Sequence, residues 1–369
     1  MEQTSQALSN ENTGSDRRVV GYEHSHDLGG LLHELNATLL ISTYQAGKLV
    51  TVGSHHGELG VALHNFDRPM GIALGSAGRN MAVAARNKVW FLDNVPELAG
   101  QLPPAGTYDA CFLTRSAQFT GEIQSHEMAF VDRELWIVNT LFSCLCTLHP
   151  HYNFVPRWKP RFISVLAPED RCHLNGLATA GGRPKYVTVM AESDTAGGWR
   201  PNKVETGCLI DIETSEVVAR GFAMPHSPRV HEGHIWLLDS GRGSLVHIDP
   251  NDGKAETVAR FPGYTRGLAM IGDLAFVGLS KIRETSTFGG VPIAENRERL
   301  QCGVGVVNWK TGKLVGQFAF SSGVDEIFDV SLLPGSRQTA MRGPFAMEEG
   351  EPTIWMVPQP GDLLPNKQP

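Results

Sequence analysis

The segment LLISTYQAGKLVTV (39–52) reads as two apolar strands joined by a polar turn, with no partner strand ahead of it. EIFDVSLL (326–333) reads as a single strand with no hairpin behind it. Brief apolar runs broken by turn residues mark strands rather than helices. Between these two orphans the same units alternate in a fixed order. Hairpins recur at MAVAARNKVWFLD (81–93), LWIVNTLFSCLCTLHP (135–150), 186–212, IWLLDSGRGSLVHIDP (235–250) and 274–309, the third and last of these with long turns. A short strand precedes each of them: RPMGIAL (68–74), SHEMAFV (125–131), HLNGLAT (173–179), HSPRV (226–230) and YTRGLAM (264–270).

The orphan hairpin and the orphan strand complete each other if the chain closes into a ring. The pattern predicts an all-β fold, a six-bladed β-propeller closed by an N-to-C strand clasp, in which radial repetition leaves few exposed edges. A pair of β-sandwiches would also show short alternating strands, but it would leave both orphans unexplained. The one helical stretch is DLGGLLHELN (27–36). The expected boundaries are a disordered leader over 1–17, one propeller domain over 18–336, and a tail over 337–369 that either adds one edge strand at TIWMV (353–357) or packs loosely.

Composition narrows the function classes. The chain has 369 residues, 41% hydrophobic and 19% charged, with a net charge of −7. That is ample for a large core, and it lacks the basic footprint of a nucleic-acid binder. No run of about 18 apolar residues suggests a membrane span. The polar start, MEQTSQALSNENTGSDRR, lacks the apolar stretch of an export signal, so a cytoplasmic location with reduced thiols is expected for the six cysteines. Cys144 and Cys146 fall on one strand face and suit core packing. The GVG at 303–305 has no helix after it, and LDSGRG does not form a nucleophile elbow.

In a propeller the first strand of each blade lines the axis, and the residues entering it ring one mouth. Those residues include His126 with Glu127, His173 with Asn175, His226, Tyr264 with Arg266, and Glu326. Three histidines at nearly equivalent positions of consecutive blades, joined by a carboxylate, suit a divalent transition metal such as Zn, Cu, Fe or Mn. An oxygen set of Asn175, Glu192 and Asp239 would suit Ca instead. The bland reading has the histidines bonding backbone where the strands converge, with water filling the channel. Arg229, Arg266, Lys281 and Arg283 lie on the same segments, and Arg200 and Lys203 on the WRPNK insertion. Two or three forked guanidinium groups there would suit an anionic small substrate; taken singly, each arginine better suits bracing a blade through Asp325, Glu326 or Asp329.

PHSPR (225–229), FPGYTRGLA (261–269), VGLSKIRET (277–285), FGG (288–290) and LISTYQAGKL (40–49) resemble the phrases of a bacterial family of propeller-like sequences, some of them attached to tetratricopeptide repeats. The resemblance covers most of 28–336 and implies the fold, with weight on His226, Arg229, Arg266, Lys281, Arg283 and Glu326. More distantly, HLNGLA is similar to the inner-strand phrase of gluconolactonase and strictosidine synthase propellers, whose lactonases hold an axial divalent cation. The histidines here depart from that cation set.

The leading expectation is therefore a metal-dependent enzyme acting on a small anionic substrate, by hydrolysis or oxidation. His126, His173, His226 and Glu326 would hold the metal, with Arg229, Arg266, Lys281 and Arg283 on the substrate and Glu326, Arg229 and Arg266 in catalysis. The alternatives are a propeller that binds a protein partner without catalysis, and a sensor that binds an anionic metabolite through its cations alone.

Overall fold

The structure, a computed structural model, describes residues 19–282 and 289–358. Six sheets, antiparallel but for one added strand, stand around one axis. Their first strands are Ile72–Leu74, Ser125–Val131, Leu174–Ala180, Pro225–His231, Tyr264–Ile271 and Asp329–Pro334, here taken as the inner strands of blades one to six. Each inner strand touches the next, and the sixth touches the first, so the ring is closed. The sixth blade is the clasp: Asp329–Pro334 pairs with Ala37–Thr43, placing Leu40 opposite Ser331. The two orphan segments of the sequence are thus one sheet, as closure requires.

Two terminal strands reinforce the clasp on either side. Gly21–His24 adds a fifth strand to the outer edge of blade five. Thr339–Arg342 runs parallel to Ala110–Phe119 on the outer edge of blade one. The added strand of the tail is this one and not TIWMV: residues 353–357 carry no strand, and Trp355 is 80% exposed. Apolar, β-prone residues need an open edge to pair with, and Thr339–Arg342 already occupies that of blade one. The helix is Leu28–Leu35, with Leu28 and Leu32 buried in the layer between blades five and six.

Blade strands bury both faces, which is why they read as continuous apolar runs. Alternate side chains serve opposite neighbours: Leu39 and Ile41 pack toward Phe276 and Val304 of blade five, while Leu40 packs with Met81 and Val83 of blade one. Comparable apolar layers separate the other blades. Cys144 and Cys146 lie together in the layer between blades one and two. Among the described residues no helix is long and apolar enough to cross a membrane.

The axis itself is polar. Glu127 of blade two accepts the backbone N–H of Leu177 in blade three at 2.7 Å. Arg229 of blade four donates to the Leu268 carbonyl of blade five at 2.8 Å and to Glu127 at 3.1 Å. Asp329 of blade six accepts the N–H of Ile72 in blade one at 2.9 Å and lies 3.9 Å from Arg229. Three charged side chains from even blades therefore tie all six inner strands together. The odd blades supply the space. Gly71, Gly176 and Gly267 each precede the backbone group that is tied, and a Cβ at any of them would overlap an atom of the next blade: the His126 carbonyl, the Pro228 ring and the Val330 nitrogen. Burial, reinforced by the Glu127 carboxylate, pushes the Asp329 acid up to about 7, with Arg229 opposing.

Removing Arg229 should strand two buried carboxylates. Arg229→Met is expected to lower stability in denaturant unfolding by about 3 kcal/mol. Lys281→Ala, which breaks the exposed Lys281–Asp325 pair, should change it by no more than about 0.5 kcal/mol.

Candidate functional site

One mouth of the axial channel opens into a cavity of about 270 Å³ lined by residues of several blades. The turns feeding the inner strands build it. Arg68, Gln124, His173 and Met224 all line it, and all have φ between 50° and 54°. Left-handed backbone at four non-glycine residues is unfavourable locally and is held by its surroundings.

The strained turns fix the imidazoles. In blade two, His126 Nδ1 lies 3.0 Å from the carbonyl of Gln124, two residues back. It also lies 2.7 Å from Thr140 Oγ1, whose own proton goes to the Leu174 carbonyl at 2.6 Å. Both partners therefore accept, so Nδ1 carries the hydrogen and Nε2 the lone pair. Blade four repeats the device. His226 Nδ1 lies 2.9 Å from the Met224 carbonyl and 2.9 Å from Ser240 Oγ. Blade three uses a carboxylate instead: His173 Nδ1 lies 2.9 Å and 3.0 Å from the two oxygens of Asp170. Trp199 Nε1 donates to that same carboxylate at 2.9 Å, and its indole packs tilted against His173 with ring centroids 4.4 Å apart.

All three rings thus share one tautomer, and they stand close together. The His126 centroid is 5.1 Å from that of His173 and 6.5 Å from that of His226. Burial pushes the pKa of His126 and of His226 well below the ordinary imidazole value, and the charge of Arg266 lowers both further. These two rings are neutral acceptors at physiological pH. Among the described residues, no group of three or more His, Cys, Asp or Glu side chains is disposed to hold a metal ion.

Arg266 supplies the positive charge. It is 7% exposed, its guanidinium carbon sits 3.5 Å from the centre of the Phe328 ring, and Glu326 is 3.7 Å away. Burial lowers its pKa while Glu326 works in the other direction. Arg68, near the Tyr44 ring, and Arg86, paired with Glu122 at 2.8 Å, complete the rim. Burial also raises the Tyr264 phenol, which lies 3.5 Å from His226 Nδ1.

Of the residues singled out from sequence, His126, His173, His226, Arg266 and Glu326 meet in this cavity. Arg229 does not line it: past a bulge that follows His226 on the same inner strand, it lies two partner positions, roughly 7 Å, deeper and is spent on the inter-blade ties. Lys281 pairs with Asp325 instead of facing the cavity. Arg283 lies outside the described residues. The oxygen set is dispersed: Asn175 bonds Thr188, Glu192 pairs with Arg220, and Asp239 pairs with Arg242. Sequence reasoning missed Asp170 and Trp199, both in irregular segments; the only trace was the Asp-x-x-His spacing of DRCH (170–173). The long turn of blade three does fold inward, since Trp199 packs in one cluster with Met190, Met224 and Tyr264.

The neutral rings carry a pH signature. The unfolded chain protonates His126 and His226 near pH 6.5 while the folded chain does not, so stability is lost as pH falls through 6.5. Relative to a His126→Asn/His226→Asn double variant, which keeps a donor near each Nδ1 position, the protein should lose about 1 kcal/mol per pH unit per ring between pH 6.5 and 5. Thermal melts of both forms across that range would show parallel curves if the rings were charged in the fold.

The fold is similar to that of a chain in the crystal structure of a nidogen/laminin complex, at 9% identity and a TM-score of 0.53, over 81% of this chain and 99% of that one. No curated protein matches the sequence. A family model described as Domain of unknown function (DUF4915) matches residues 26–341, which takes in every blade and the whole axial cavity, and the chain belongs to that family.

Proposed function

We propose that the axial cavity is the functional site and that it binds a small anionic organic molecule. The observation that carries this reading is Arg266, a nearly buried guanidinium stacked on Phe328 at the cavity wall. A desolvated guanidinium is costly unless it is put to use, and its forked donors match a carboxylate or phosphate. Three arginines against two glutamates leave the lining with a positive excess inside a protein of net charge −7. His173, held in place by Asp170, has the arrangement of a general base, which gives the cavity a route to catalysis. The reading puts the protein in the cytoplasm, supported by six buried cysteines without disulfides, and makes its partner a small molecule rather than nucleic acid or membrane.

A second reading, a divalent transition metal on His126, His173, His226 and Glu326, has one observation in its favour. Each ring donates Nδ1–H to a carbonyl or carboxylate, the outer-shell anchoring that metal-bound histidines use. Binding would have to draw the rings together. Such a metal would supply Lewis-acid or redox chemistry above the cavity floor.

Both readings are open to direct measurement. Thermal stabilisation by a panel of carboxylates and phosphates should be dose-dependent in the native protein. Arg266→Met should weaken the best of them at least tenfold, and Arg266→Lys, which keeps the charge and loses the fork, should fall between. Stabilisation unchanged in Arg266→Met would refute the anion site. Elemental analysis of the purified protein, before and after chelation, tests the second reading: about one equivalent of Zn, Cu, Fe or Mn supports it, and none even after metal reconstitution rejects it.

A further inference from the structure

We propose that the ligand of the axial cavity is a polyhydroxylated oxyanion, a small carboxylate or phosphate carrying several hydroxyl groups. This rests on the anion-site reading above and adds what the rest of the molecule must be.

The hydrogen-bond inventory of the wall points this way. The Nδ1–H groups of His126 and His226 are committed to the carbonyls of Gln124 and Met224, and that of His173 to Asp170. With Nδ1–H spent in this way, that tautomer presents Nε2 as an acceptor. Three such acceptors sit on rings 5.1 and 6.5 Å apart, close enough for one small molecule to span them. Gln124 adds an amide that both donates and accepts.

A ligand facing three acceptors has to bring donors. An ammonium group brings them, but it would sit beside Arg266, with Arg68 and Arg86 at the rim. A hydroxyl brings a donor without a charge. An alkyl acid would satisfy Arg266 and leave the acceptors desolvated and unpaired, and that is the kind of mismatch that a polar site rejects most strongly. The cavity, at about 270 Å³, has the volume of roughly nine waters, which suits a chain or ring of three to six carbons.

The test pairs hydroxylated anions with their bare counterparts on the purified full-length protein, by titration calorimetry. D-gluconate is set against hexanoate, glycerol 3-phosphate against propyl phosphate, and D-glucitol serves as the uncharged control. At least one hydroxylated anion is expected to bind tenfold or more tightly than its bare counterpart and than glucitol. Which of the two does so separates the carboxylate from the phosphate. His126→Phe and His226→Phe should bring that ratio toward one while leaving hexanoate or propyl phosphate unchanged. Should either fail to fold, the Asn variants remove the Nε2 acceptor and keep a donor near Nδ1. Bare anions that bind as tightly as the hydroxylated ones, and lose binding in Arg266→Met, would overturn this inference and leave the anion site standing. If no anion of either set binds, both fall together.

Discussion

Three charged side chains on the axis, Glu127, Arg229 and Asp329, are the constraint on which the rest of this propeller depends. Each reaches from an even blade to the backbone of the following odd blade, and Arg229 joins the other two. Inter-blade apolar layers give most of the cohesion, but they are non-directional and would tolerate sliding of one blade against the next. The polar ties fix the height of each inner strand relative to its neighbour, because a buried carboxylate or guanidinium off by one position would lose its partner. The glycines at 71, 176 and 267 serve the alternate interfaces, since each lets an odd blade's inner strand approach the even blade that follows it.

The cavity inherits its precision from that floor. Phe328, which carries Arg266, is the neighbour of Asp329 in sequence, and His126 is the neighbour of Glu127. Anchoring the charged residue on one side of the strand sets the position of the residue on the other. Above this floor the positive-φ turns at Gln124 and Met224 present carbonyls that select one imidazole tautomer. Rigid inner strands and strained entry turns together make a preformed site, the arrangement that spares a ligand the cost of ordering it.

Most of the fold was legible because buried strands must be apolar on both faces. The six hairpins and six inner strands stand out for that reason. The outer strands do not: Tyr152–Trp158 and Ala255–Arg260 are largely exposed, so they lack the apolar run that marks the buried strands. TIWMV misleads in the opposite sense, having strand-forming residues but no strand pairing, since Thr339–Arg342 already holds the outer edge of blade one. The site was partly legible for a comparable reason. His126 and His226 occur at a fixed step from their turns, so alignment of the repeats finds them. Asp170 and Trp199 are brought to His173 by irregular chain, where spacing carries little information. Arg229 was drawn toward the site by its neighbour His226, although the depth of the strand separates them.

Closure by the sixth blade also sets an order of events during synthesis. Thr38 Oγ1 donates to the carbonyl of Ser336, 298 residues away. Until the last inner strand leaves the ribosome, blade six is three strands whose open inner edge awaits its partner, and the flanks of blades one and five are bare. Such an intermediate is a ring with a gap, rich in unpaired apolar surface and prone to join another chain across it. The parallel strand at Thr339–Arg342 follows within a few residues and seals blade one as soon as the gap closes. The interval between the first complete blade and the last therefore lengthens with every residue in the long turns of blades three and five.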